Sequence, residues 1–158
     1  GSAGRKADPV GEVWFYHLER STLDQVLPEL LEKTLARGWR ALVRVREAER
    51  LGTLDERLWT WRAESFLPHG RADRPDADRQ PVLLTTETEN PNTAQVLFIV
   101  DGAELGPTDA FERCILLFDG RDDEAVAEAR KRWSWVKATG AVCSYWKQDE
   151  DGRWSKAA

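Results

Sequence analysis

From Val13 to Leu18 the chain reads VWFYHL, an apolar run without polar alternation. Such a run predicts a strand covered on both faces and placed centrally in a sheet. Ser21 and Thr22 offer caps for a following helix. In it Leu23, Val26, Leu27, Leu30, Leu31 and Leu35 recur at helical spacing until Gly38 ends the pattern. Pro28 interrupts it, so either the first turn begins near this proline or the helix kinks there. Ala41–Val45 reads as a second strand. The resulting strand, helix and strand form the unit of a parallel sheet with a right-handed crossover.

Glu47–Trp61 is mostly helical by spacing, with Leu51, Leu54, Leu58 and Trp61 on one stripe. Gly52 and Thr53 are candidate break points, and Thr53 with Glu56 has the spacing of a capping box. Ser65-Phe66-Leu67 is a short apolar strand stopped by Pro68. Gly70–Gln80, GRADRPDADRQ, is polar, proline-bearing and aperiodic, hence a surface loop that tolerates shortening. Val82–Thr86, Val96–Asp101 and Cys114–Phe118 are three further strands, the last closed by Asp119-Gly120. Asp122, Asp123 and Glu124 open a helix that runs to Thr139 and stops at Gly140, and Val142–Lys147 is a final strand. The pattern predicts a three-layer α/β/α sandwich with a largely parallel, Rossmann-like sheet. Residues 11–158 form its single domain, and residues 1–10 resemble a tag remnant outside the fold.

Composition narrows the function. With 158 residues, 41% hydrophobic and 32% charged, the chain is neither disordered nor fibrous, and it is long enough for one core. Its longest central apolar run, Val96–Val100, falls far short of the roughly 20 residues that span a bilayer. A net charge of −5 argues against general nucleic-acid binding, which rests on clustered Lys and Arg. Cys114 and Cys143 each lie alone in an apolar segment, which fits buried thiols in a reducing cytoplasm rather than a disulfide or metal ligands.

Catalytic and cofactor signatures are missing. The turn after the first strand is Glu19-Arg20-Ser21, without the glycines that bring a backbone close to a pyrophosphate. GAELG at Gly102–Gly106 lacks the lysine and hydroxyl of a phosphate loop. Asp149, Asp151 and Gly152 imitate the end of a calcium loop, but Lys147 stands where its first ligand belongs. His17, inside a buried strand, reads as a hydrogen-bonded core histidine, and His69 as the residue ordering the LPH turn. Neither has a nucleophile beside it in sequence, so no catalytic residue, metal or cofactor is expected.

Two segments suit a partner. Arg130-Lys131-Arg132-Trp133-Ser134-Trp135-Val136-Lys137 holds four cations and no acid. Val126, Arg130, Trp133 and Lys137 share one helical face, so a ring lies between cations. One reading is a solvated helix C-terminus whose indoles pack on the sheet. The other is an aromatic and guanidinium pocket for a peptide with an apolar end and a free carboxylate. The stretch LDERLWTWRAESFLPHG, from Leu54 to Gly70, carries more rings than a helix-to-strand corner needs for packing, which leaves aromatic surface for contact.

LDERLW, ESFLPH, the Asn92–Gly102 region and the RW-containing helix resemble the chi subunit of bacterial DNA polymerase III, over Val13 to about Trp154. The resemblance implies a non-catalytic accessory subunit, monomeric alone, that links the clamp-loader complex to single-stranded-DNA-binding protein by holding the acidic C-terminal tail of the latter. The tail-binding roles fall on Trp59, Phe66, Arg130 and Trp133. Many relatives carry a lysine at the position of Val126, a cation that Arg132 or Lys137 would replace here. A psi subunit tethering the chain to the clamp loader is implied as second partner, with no contact residues to carry over. The alternative from the residues alone is direct single-strand binding by Trp59, Trp133 and Trp135, which the net charge disfavours.

Overall fold

The computed structural model describes residues 12–19, 21–59, 69–106, 108, 111–151 and 153–158. Among the described residues, eight strands form one sheet: β1 (Glu12–Leu18), β2 (Ala41–Arg44), β3 (His69–Arg71), β4 (Val82–Thr85), β5 (Val96–Ile99), β6 (Arg113–Asp119), β7 (Cys143–Gln148) and β8 (Trp154–Lys156). The helices are α1 (Leu23–Ala36), α2 (Ala48–Trp59) and α3 (Asp123–Ala138). The strand order is β3-β4-β2-β5-β6-β1-β7-β8, parallel throughout except for the antiparallel β7 and β8 pair. This is the expected α/β sandwich with a mostly parallel sheet, and β1 is interior, between β6 and β7.

Alternation along each strand divides the core. Tyr16, Val43, Phe98, Ile115 and Leu117 face α1 and α2, where Leu27, Leu31, Leu51, Leu54 and Leu58 cover them. Phe15, Leu42, Leu97, Ile99 and Leu116 face the other way, under Ala129 and Val136 of α3. Both faces are therefore dry, which is why β1, β2 and β5 read as unbroken apolar runs.

Helix α1 continues through Pro28, which is buried, and a capping box of Thr22 and Gln25 closes its N-terminus. Proline cannot donate to the Asp24 carbonyl four residues earlier, and burial of Val26, Leu27 and Leu31 offsets that loss. Helix α2 is undivided. Thr53 Oγ1 donates to the Glu49 carbonyl at 3.1 Å inside the helix, so the spacing with Glu56 makes no capping box.

Two other expectations, the start of the loop and the last strand, need correction. Gly70 and Arg71 belong to edge strand β3, paired with Leu83 and Leu84, so the loop starts only after them and contains a 3-10 turn at Ala77–Arg79. His69 opens this strand, and its Nε2 lies 3.1 Å from Asp55 Oδ1, which ties β3 to α2; Leu67 and Pro68 of the expected LPH turn lie outside the described residues. β7 is not the last strand, because β8 pairs with it. Both edge strands are only three residues long, too short for a periodic signature. Cys114 is buried but Cys143 only half-buried, and both are free thiols. The expected strand Ser65–Leu67 lies outside the described residues.

Candidate partner-binding site

The site grows from the local chemistry of α3. Asp122 caps the helix, its Oδ1 accepting from the amides of Glu124 at 3.0 Å and Ala125 at 3.4 Å. Gly140, at φ +88°, ends it in the left-handed conformation that glycine adopts freely. With Ala129 and Val136 facing the sheet, Trp133 falls on the flank next to β7. It meets Phe15 edge-on, with centroids 5.3 Å apart, and Tyr145 likewise at 5.8 Å. Lys137 Nζ lies 5.4 Å from the Trp133 ring centroid, within cation-π range. Arg130 is exposed one turn earlier on the same flank, near enough to act electrostatically on both His17 and Tyr145.

Beneath these groups His17 is 7% exposed. Its Nδ1 is 2.7 Å from the Tyr145 hydroxyl. Its Nε2 is 3.0 Å from Glu19 Oε2, at an angle short of a good hydrogen bond. Phe118 packs edge-on against the imidazole and against Tyr145. Burial holds His17 below the ordinary histidine pKa, opposed by Glu19 and reinforced by Lys147 and Arg130. Burial also raises Tyr145, against the pull of Arg130. Among the described residues, Arg130, Lys137 and Lys147 make no salt bridge to any carboxylate.

The remaining expected site residues lie elsewhere. Arg132 is on the opposite flank of α3, 3.5 Å from Glu128 and donating to the Gly102 carbonyl at 3.4 Å, so its charge is already engaged away from Trp133. Trp59 ends α2, which packs on β3 and β4 on the other face of the sheet, whereas α3 packs on β6, β1 and β7. The Trp59 side chain and all of Phe66 lie outside the described residues.

A cleft of about 1030 Å³ opens where β1 and β6 end and their helices depart to opposite faces. Ligands of doubly wound folds bind at such crevices. Among the described residues it is lined by Asp101, Glu104, Asp119, Asp122, Glu124 and Glu128 against Arg46, Arg121 and Arg132. Asp122 and the Thr22–Gln25 box already occupy the helix N-termini that would otherwise receive an anion. The cleft therefore suits neither a nucleotide nor an acidic peptide. Among the described residues no group of three or more His, Cys, Asp or Glu is placed to hold a metal ion.

The family model for the DNA polymerase III chi subunit, HolC, matches residues 10–144. The chain belongs to this family. It is also 26% identical over 111 residues, covering 66% of this chain and 67% of the relative, to a probable DNA polymerase III subunit chi from Rickettsia prowazekii (strain Madrid E). Chi is an accessory subunit of the polymerase, a role that asks for contact surfaces rather than a reaction centre. No described helix is long and apolar enough to cross a membrane.

In this chi-family chain the sequence pattern brought out Arg130, Trp133 and Lys137 but not Phe15, Tyr145 or Lys147, which complete the flank. Their proximity follows from register: Phe15 pairs with Tyr145 and His17 with Lys147 across β1 and β7. The alternation of Cys143, Tyr145 and Lys147 was the available signal, and it names a face without naming its neighbour.

Proposed function

We propose that this chi-family subunit is a non-catalytic adaptor, linking the clamp-loader complex to single-stranded-DNA-binding protein by holding its acidic C-terminal tail on the β7 flank of α3. One observation carries the reading. In a chain of net charge −5, three cations that make no salt bridge among the described residues, Arg130, Lys137 and Lys147, flank the half-buried rings of Trp133 and Tyr145, which pack on the buried Phe15. Rings accept an apolar terminal side chain, and a guanidinium grips the adjoining carboxylate through two bonds. The clamp-loader side of the link, through a psi subunit or directly, rests on family resemblance.

Calorimetric titration with an acidic peptide ending in Phe tests this, beside a single-stranded oligonucleotide of equal charge. The peptide binds, and the oligonucleotide binds weakly and fades as salt screens it. A charge-assisted hydrogen bond is worth about 1.5 to 3 kcal/mol, so Arg130→Ala weakens the peptide about tenfold to a hundredfold. Arg130→Lys recovers part, since it keeps the charge without the planar fork. Unchanged affinity in a folded Arg130→Ala protein, or tight oligonucleotide binding at physiological salt, overturns the reading. The same titration reads Trp59 and Phe66, which resemblance assigns to this site. Alanine variants that lose affinity as Trp133→Ala does extend the site to them, and variants that retain it confine the tail to the α3 flank.

A further inference from the structure

We propose that His17 is a positioning residue of this site: it fixes Tyr145 beside Trp133 and, through its own protonation, sets whether the Tyr145 hydroxyl donates inward or toward a bound carboxylate. The proposal rests on the tail-binding reading and adds to it a residue, a proton path and a pH dependence.

The geometry carries it. The imidazole bonds Tyr145 through one nitrogen and faces Glu19 at 3.0 Å with the other, with Phe118 edge-on to its ring. The turn at Gly120 leaves no room for displacement, since a methyl there would overlap Nε2 and Cδ2 and stand 3.0 Å from Cε1. A ring this confined dictates where the Tyr145 oxygen sits, and Tyr145 in turn forms one wall against Trp133.

The proton inventory follows. In neutral His17 the Glu19 carboxylate favours hydrogen on Nε2, so Nδ1 is an acceptor and takes the Tyr145 O–H. The tyrosine then shows solvent only lone pairs, which repel a carboxylate. When His17 gains a proton, Nδ1–H donates to the Tyr145 oxygen, and the phenolic hydrogen is free to donate outward. No other bond changes.

The charged and titratable groups facing His17 are Glu19 at the end of β1, Asp119 on β6, Tyr145 and Lys147 on β7, and Arg130 on α3. Burial and the two cations keep it neutral in the free protein. A peptide carboxylate against Arg130 offsets those cations and stabilises the imidazolium. By linkage, peptide affinity then rises as pH falls through the His17 titration.

The test is calorimetry of the full chain with the acidic Phe-terminated peptide at pH 7.5 and 5.5 at fixed salt, with the His17 ring resonances followed by NMR. Acidification should tighten wild-type binding on the order of threefold to tenfold, since each unit by which the peptide raises the His17 pKa is worth a factor of ten. Saturating peptide should move the His17 titration upward. His17→Gln, checked for folding by near-UV circular dichroism, should lose the rise, and Tyr145→Phe, which keeps the charge coupling but not the hydroxyl, should lose part of it. A rise of equal size in both variants, or a His17 titration that ignores the peptide, overturns the proposal and leaves tail binding intact. A peptide that binds at neither pH overturns both.

Discussion

Gly120→Ala is the sharpest single test of the packing under the candidate site. The backbone of Gly120 is not left-handed, so alanine brings no conformational penalty, and any cost comes from the added methyl. That methyl overlaps His17 Nε2 and Cδ2, and these atoms cannot swing aside while Tyr145, Glu19 and Phe118 hold the ring. Either the imidazole leaves its rotamer and breaks the 2.7 Å bond to Tyr145, or the turn between β6 and α3 shifts, which strains the 2.7 Å bond from the Gly120 amide to the Leu18 carbonyl. Overpacking of this kind costs about 1 to 3 kcal/mol, and a lost hydrogen bond adds about 1 kcal/mol. Urea unfolding of wild type, Gly120→Ala, His17→Ala and the double variant should show strong coupling. With the imidazole gone the methyl has space, so most of the Gly120→Ala cost should vanish in the His17→Ala background, an interaction energy above about 1 kcal/mol. Additive costs would mean that His17 is not what excludes a side chain from position 120, and the clamp under Tyr145 would be wrong.

Two further outcomes follow from the buried polar groups. Arg44 is 0% exposed and donates to the carbonyls of Glu87, Glu104 and Leu105 at 2.8 to 2.9 Å, pinning two loops to the end of β2; Arg44→Met strands these acceptors and should cost about 3 to 5 kcal/mol in urea unfolding, with a loss under about 1 kcal/mol refuting the role. Burial pushes the Cys114 thiol up to about 12 while Cys143 is only half-buried, so a thiol reagent at pH 8 should label Cys143 first and Cys114 only on unfolding; equal labelling rates would contradict the burial.

Much of the fold was legible because the parallel sheet is dry on both sides. Strands such as β1, β2 and β5 must be apolar at consecutive positions, and α3 announces its ends through Asp122 and Gly140. The misses share a cause, which is that tertiary context decided between local options of similar cost. Thr53 has the spacing of a cap, yet the packing of Leu51, Leu54 and Leu58 holds it inside a helix, where its hydroxyl returns to Glu49. Pro28 survives mid-helix for the same reason. Strands β3 and β8 owe their existence to one neighbour each, and nothing within His69–Arg71 or Trp154–Lys156 specifies that neighbour. The site divides the same way. Trp133 and its cations are contiguous in sequence, whereas Tyr145 joins them only through the register of β1 against β7.

On the proposed reading, charge turns the partner away from the place where doubly wound sheets usually bind ligands. The crevice between β1 and β6 offers the volume and the helix N-termini of a phosphate site, but carboxylates line it and side-chain caps consume its amides. An acidic tail approaching that edge meets like charge in a concave, low-dielectric setting, where repulsion is strongest. The β7 flank of α3 has the opposite balance: its cations lack carboxylate partners among the described residues, and its Trp133 and Tyr145 rings are half-buried. On the proposed reading, the net charge of −5 disfavours polyanions at large, while one local reversal of sign favours an anion short enough to touch only that flank. A peptide carboxylate beside a single apolar side chain meets that limit. A nucleic-acid backbone, with charge at every residue, does not.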